Sequence, residues 1–165
     1  MESERIFHAF EPVFDNESRV LILGTMPSPK SRELGFYYSH PRNRFWPVMA
    51  KIFGEEVPKT PDEKKNFCLR NKIALWDVLK ECDIEGASDS SIKNAVPNDI
   101  SIILNSADIK AIFTTGATAG KLYKKFIEPE AKIPAKTLPS TSPANAKIGF
   151  EELAEEYKII LEYLK

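Results

Sequence analysis

The sequence is poor in the residues that build metal and redox sites. Its 165 residues include two cysteines, Cys68 and Cys82, and two histidines, His8 and His40. A cysteine pair 14 positions apart with no histidine beside it makes a poor zinc site. Two thiolates also fall short of the roughly four that hold an iron–sulfur cluster. Both cysteines read as ordinary, partly buried thiols of a reducing compartment, and no cofactor or metal is expected. No apolar run approaches the roughly 20 residues of a membrane span. The opening MESERIFHAF lacks the basic-then-apolar pattern of a secretory signal, so a cytoplasmic protein is expected. Neither GxxxxGK[ST] nor GxGxxG occurs, so the usual signatures of phosphate-loop hydrolysis and dinucleotide binding are missing. There is no repeat, low-complexity tract or Gly/Ser linker.

What is present is enough for one domain: 42% hydrophobic residues for a core and 28% charged residues for the surface. The net charge of −1 says nothing about a partner, but its distribution does. Residues 24–50 carry Lys30, Arg32, Arg42 and Arg44 against Glu33, a local +3. Residues 116–147 carry six lysines against Glu128 and Glu130, a local +4. The first 19 residues and the tail from 148 are each −3. If the two basic segments meet in space, they form a face suited to phosphates. Otherwise they are an unevenly charged, solvated surface.

Four short apolar runs read as buried strands: Val20 to Thr25, Ile73 to Val78, Ile109 to Thr115 and Lys136 to Pro139. Helical patterns lie between them. They cover Phe45 to Phe53, a segment capped by Thr60-Pro61-Asp62-Glu63, ISIILNSA after Pro97-Asn98-Asp99, Ala117 to Ile127, and Phe150 to Leu164. This alternation predicts an α/β fold, a three-layer α/β/α sandwich around a four-stranded, mostly parallel sheet. Ligands of such sheets bind beyond the carboxyl ends of the strands. GTMPS, TTGATAG and LPSTSPANA each follow a strand, so the three loops converge on one edge.

GTMPSP offers Gly24 for close backbone approach, two prolines for rigidity, and the hydroxyls of Thr25 and Ser28. FYYSHPRNRFW sets aromatics beside Arg and Asn, a combination that suits a flat ligand with a hydrogen-bonding edge. Within it Tyr38 and Asn43 are read as functional, and Phe45 and Trp46 as core. Phe36 and Tyr37 remain open between stacking and packing. His40 is either a general acid–base or a loop anchor. LPSTSPANA reads as a phosphate clamp or as a plain turn. In TTGATAG, helix amides with Thr114, Thr115 and Thr118 hold a phosphate or merely cap and pack.

Taken together, these loops resemble the uracil-DNA glycosylase superfamily over about residues 8 to 163. The hypoxanthine-DNA glycosylase branch is most similar, with mismatch-specific uracil glycosylases as near relatives. The resemblance is carried by Tyr38-Ser39-His40-Pro41-Arg42-Asn43-Arg44-Phe45-Trp46 and by Leu138-Pro139-Ser140-Thr141-Ser142-Pro143-Ala144. It implies a monofunctional glycosylase that hydrolyses the N-glycosidic bond of a deaminated base flipped from DNA. DNA carrying such bases is the implied partner, and a monomer is expected. Asn43 is the implied catalytic residue. Thr25, Met26, Phe36, Tyr38 and Ser39 are the implied base contacts. Ser28, Ser140, Thr141, Ser142 and Asn145 are the implied phosphate contacts. Met26 stands where the superfamily usually has a water-activating Asp or Asn. Ser140 replaces the usual His or Asn of the second motif, and Ala144 the usual apolar wedge. Two other readings stay open: a non-catalytic nucleic-acid-binding module on the same fold, and a small-molecule hydrolase or nucleotide-binding protein.

Overall fold

A computed structural model describes residues 2–8 and 10–165. Four strands form one parallel sheet: β2 (Val20–Gly24), β3 (Ile73–Asp77), β6 (Ala111–Thr115) and β7 (Ala135–Leu138), in the order β3-β2-β6-β7. Every residue of β2, β3 and β6 is buried. Side chains of a pleated strand alternate between faces, so both faces of this sheet are covered. The expected α/β sandwich is therefore present, and its four strands agree with the observed ones within about two residues at either end.

The covering helices form where the sequence caps them. Thr60 accepts the N–H of Glu63 at 3.1 Å and opens α3 (Pro61–Arg70), which packs on β3. α2 (Phe45–Phe53) ends at Gly54 in a left-handed conformation and buries Phe45, Trp46 and Met49. Each such side chain contributes roughly 1.5–3 kcal/mol of burial. α5 (Ala117–Phe126) lies on β6 and β7 and is followed by the one-turn α6 (Glu128–Ala131), and α7 (Phe150–Tyr157) lies on α2. The last helix was expected to run to Leu164. Instead it tightens into a 3-10 helix over Lys158–Tyr163, where the β-branched pair Ile159-Ile160 is a poor α-helix former. ISIILNSA forms only the short α4 (Ser101–Leu104), begun by Asp99, whose Oδ1 accepts the Ser101 N–H at 3.0 Å. Asn98 is a strut rather than a cap: its side chain donates to the carbonyls of Asp77 and Leu79.

Two features were not anticipated. Ser28 caps a short helix α1 (Pro29–Leu34) inside the opening loop. A second, antiparallel sheet also forms, from β1 (Glu4–Phe7), β4 (Leu79–Glu85) and β5 (Ser88–Pro97), in the order β1-β4-β5. β4 continues directly from β3 past Val78, so the second sheet hangs from the carboxyl edge of the first.

Candidate active site

The order β3-β2-β6-β7 places the reversal of strand order between β2 and β6, where crossover connections leave in opposite directions. A cavity of about 1050 Å³ opens there. Its walls are Gly24–Pro29, four residues of the following loop (Tyr37, Tyr38, His40 and Asn43), the β6–α5 turn, residues 137–145 and the tip of the β4–β5 hairpin. The three strand-end loops thus converge as the sequence implied. The two segments with excess basic charge meet there through these loops, but no lysine or arginine is among the cavity-lining residues.

Two hydrogen-bonded ties hold the loops in register. Arg44 donates to the carbonyls of Ile148 at 2.6 Å and Asn145 at 2.9 Å, and its own amide donates to Thr141 O at 3.1 Å. Gly116, with φ 94° in the left-handed region, donates to Leu138 O at 2.8 Å. A Cβ there would lie 3.4 Å from Ser140 Cβ, so a glycine serves both backbone and packing.

Asn43 lines the cavity, and its Oδ1 accepts the Phe45 N–H at 2.9 Å, an Asx turn that satisfies the first amide of α2 just ahead of the N-cap position Arg44. That bond fixes the carboxamide orientation. It leaves the Nδ2 donors without a partner among the described residues. His40 also lines the cavity; its Nδ1 accepts the Arg42 N–H at 3.0 Å, so it anchors the same turn.

Among the expected base contacts, Thr25, Met26 and Tyr38 line the cavity. Tyr38 has φ 53°, a strained backbone of the kind found at functional sites. Its ring stacks on Phe45 at 3.9 Å, and its hydroxyl pairs with Thr115 Oγ1 at 3.1 Å. Burial and the nearby Asp77 charge hold its phenol well above the usual range, so it remains an O–H donor. Phe36 and Ser39, also expected as base contacts, are not among the cavity-lining residues. Phe36 stacks on Trp46 and sets its edge against Tyr37, anchoring the loop to α2. Ser39 faces the other way: its amide donates to Ser31 Oγ, and its hydroxyl oxygen receives Lys64 Nζ at 3.4 Å. Tyr37, left open by the sequence, lines the cavity while its hydroxyl donates to Glu11 O.

The expected phosphate contacts Ser28, Ser140, Thr141, Ser142 and Asn145 all line the cavity. Ser140 Oγ accepts the Ser142 N–H, Ser142 Oγ accepts the Ala144 N–H, and Asn145 Nδ2 donates to Ser140 O. A hydroxyl that accepts a backbone N–H keeps its own proton to donate. Ser140 and Ser142 are therefore rigidly placed donors. Ser28 is spent differently, since its hydroxyl accepts the Ser31 N–H and donates to Ser31 Oγ.

Sequence reasoning passed over Asp77. It ends β3 beside Gly24 of β2, is 3% exposed and lines the cavity. His8 Nε2 lies 2.7 Å from its Oδ2. The available signal was a lone acid at the carboxyl end of a fully apolar strand. Among the described residues, no group of three or more His, Cys, Asp or Glu side chains is placed to hold a metal ion, and no helix is long and apolar enough to cross a membrane.

Known proteins share this arrangement. The family described as the Uracil DNA glycosylase superfamily matches residues 11–165. A hypoxanthine DNA glycosylase of Methanosarcina acetivorans is 35% identical over 146 residues, covering 87% of this chain and 91% of the relative. A hypoxanthine DNA glycosylase of Methanosarcina barkeri is 37% identical over 114 residues, 68% of this chain and 72% of the relative. The solution NMR structure of a provisionally named uracil DNA glycosylase from Methanosarcina acetivorans superposes with a TM-score of 0.81 at 30% identity, covering 95% of this chain and 97% of the other. The chain belongs to the uracil-DNA glycosylase superfamily.

Proposed function

We propose that the protein is a monofunctional DNA glycosylase. It hydrolyses the N-glycosidic bond of a deaminated base flipped from DNA, hypoxanthine in preference to uracil, and so begins base-excision repair. The observation that carries this reading is the single cavity at the carboxyl ends of β2, β3 and β6. There Asn43 presents free amide protons opposite the serine-rich loop 139–145. The names of relatives at 35% and 37% identity support the choice of hypoxanthine.

The cavity slightly exceeds the roughly 300–1,000 Å³ of small-ligand sites. It has room for a base, its sugar and the flanking phosphates. Extrusion of the nucleotide costs a few kcal/mol, least for a mismatched base. Contacts from Ser140, Ser142 and the amides at the start of α5 to the phosphates offset that cost. Tyr37, Tyr38, Thr25 and Met26 surround the base.

As the glycosidic bond breaks, its electron pair leaves with the base and positive charge grows at C1′. With Oδ1 bound to Phe45 N–H, Asn43 has donors rather than a basic atom to offer. It stabilises the charge on the departing base and does not abstract a proton from water. Water then adds to C1′, and the proton it releases passes to the departing base anion, leaving neutral free base and an abasic sugar. Met26 takes no part in proton transfer. No lysine is among the cavity-lining residues, so among the described residues no side-chain amine is at hand for strand cleavage through an imine.

The test is a duplex carrying one deoxyinosine, incubated with stoichiometric protein and then treated with alkali. Strand breakage at the lesion is expected. Salt-sensitive binding of lesion DNA without breakage would reject catalysis and leave the binding-module reading, which Met26 in the cavity favours.

A further inference from the structure

The cavity has a wall that the strand-end loops do not supply. β4 leaves β3 at one flank of the parallel sheet, and the 139–145 loop leaves β7 at the other. The β4–β5 hairpin and the serine-rich loop therefore face each other across the cavity, whose floor is the buried trio Gly24, Asp77 and Thr115. The hairpin contributes Ile84, Gly86, Ala87, Ser88 and Asp89. Gly86, with φ 57°, lets the chain reverse. Ser91 pins the tip: its hydroxyl accepts the Glu85 N–H at 2.8 Å and donates to Ser88 O at 2.6 Å.

A cavity that takes a polyanion gains no affinity from acids in its wall, since each carboxylate repels phosphate. Three acids line it: Asp77, Asp89 and Glu156. Asp77 lies at the floor, with Oδ2 held by His8 Nε2 at 2.7 Å. Glu156 is exposed on α7 beside Tyr157, whose hydroxyl donates to Pro139 O, so it stands on the side of the serine-rich loop. Asp89 stands on the opposite side, at the rim. Its neighbours Ser88, Ser90 and Ser91 bond among themselves, and no hydrogen bond or ion pair among the described residues reaches its carboxylate. It is open to the water of the cavity, yet the protein around it holds its carboxyl above the ordinary range.

We propose that Asp89 is a further catalytic residue, the carboxylate that faces the positive charge at C1′ and receives the proton of the attacking water. This rests on the reading of the cavity as a base-excision site. Met26 offers neither charge nor a basic atom, and Asn43 offers donors. A base seated on the floor leaves its sugar at the level of the rim, between the phosphate contacts and Asp89. As the glycosidic bond breaks, the carboxylate offsets the charge growing at C1′. The water oxygen then bonds to C1′, its proton moves to the Asp89 carboxylate, and the carboxyl so formed gives that proton to the base anion. The carboxylate is restored, and the products are neutral base and an abasic sugar.

The experiment is single-turnover excision from a deoxyinosine duplex beside equilibrium binding of the same duplex, with folding followed by circular dichroism. Asp89→Asn and Asp89→Ala should each slow excision at saturating protein about 100-fold. Both should bind the duplex at least as tightly as wild type, because a charge of the same sign as phosphate has been removed. Sodium formate, which supplies a small carboxylate, should raise the Asp89→Ala rate at least about tenfold, and sodium chloride at equal ionic strength should not. Glu156→Gln should stay within about twofold of wild type. A wild-type rate at saturation in folded Asp89→Asn, or no response of Asp89→Ala to formate, would overturn the proposal. An equal loss in Glu156→Gln would assign the effect to the general field of the cavity and overturn it too. Failure of wild-type protein to release hypoxanthine would instead overturn the base-excision reading itself.

Discussion

The Oδ1 atom of Asn43 accepts the backbone N–H of Phe45 at 2.9 Å. One side chain thus starts a core helix and faces the cavity. Its two roles are separable. Asn43→Asp keeps an acceptor for the Phe45 N–H but removes the amide donors. It should fold with near wild-type stability and lose about 10²- to 10³-fold in single-turnover excision. Asn43→Ala loses the same activity and about 1 kcal/mol of stability as well. Thermal melts beside excision rates check both outcomes, and an active Asn43→Asp would refute the donor role.

Arg44 is the tie between the aromatic loop and the serine-rich loop, through the carbonyls of Asn145 and Ile148. Bonds from a charged donor contribute about 1.5–3 kcal/mol. Arg44→Ala should free residues 140–145, weaken DNA binding more than about tenfold and slow the saturated rate less. Arg44→Lys should rescue poorly, since an ammonium does not reproduce the planar fork across two carbonyls. Titration of the single-turnover rate against protein concentration separates the two effects.

Gly24→Ala places a methyl carbon 2.5 Å from Asp77 Oδ1. Overpacking of this kind costs about 1–3 kcal/mol. The displaced atoms are those lining the cavity floor, so the loss in excision should be large beside a modest fall in melting temperature. A fully active Gly24→Ala would show that the floor tolerates rearrangement.

The protein should unfold in alkali for an identifiable reason. Burial holds the phenols of Tyr37, Tyr38 and Tyr157 above their ordinary 10.0 and raises Tyr123 to about 12. Folded values above unfolded ones mean that stability is complete below about pH 10. It is lost as pH rises from there toward the folded values, because only the unfolded chain releases those protons. Denaturant midpoints should be insensitive to tyrosine below about pH 10 and fall steeply above it. Tyr157→Phe, which loses the bond to Pro139 O, should be less stable at neutral pH but show a shallower alkaline fall.

The parallel sheet was legible because its strands are short, continuous apolar runs buried on both faces, and α2 because its apolar face repeats at helical spacing. The second sheet was not legible. β5, SDSSIKNAVP, is polar and largely exposed, and its pairing with β4 shifts register three times, which erases the two-residue period of a strand. Tyr38 and Asn43 stood out because they share one short aromatic and basic segment, and the 140–145 loop because its serines, threonine and proline form a second compact motif. Phe36 and Ser39 seemed to belong with them, but adjacent residues of a turn face different ways, and these two face α2 and α3. His8 and Asp77 are 69 positions apart, and only the packing of the N-terminal segment beside β3 makes them a pair.

The most direct test of the account is the simultaneous measurement of free base and abasic strand from a single-deoxyinosine duplex under single-turnover conditions. The account predicts hypoxanthine and abasic DNA released in equal amounts, with an intact backbone until alkali is added, and their loss in Asn43→Asp. Absence of free hypoxanthine at stoichiometric wild-type protein, or its undiminished release by Asn43→Asp, would contradict it.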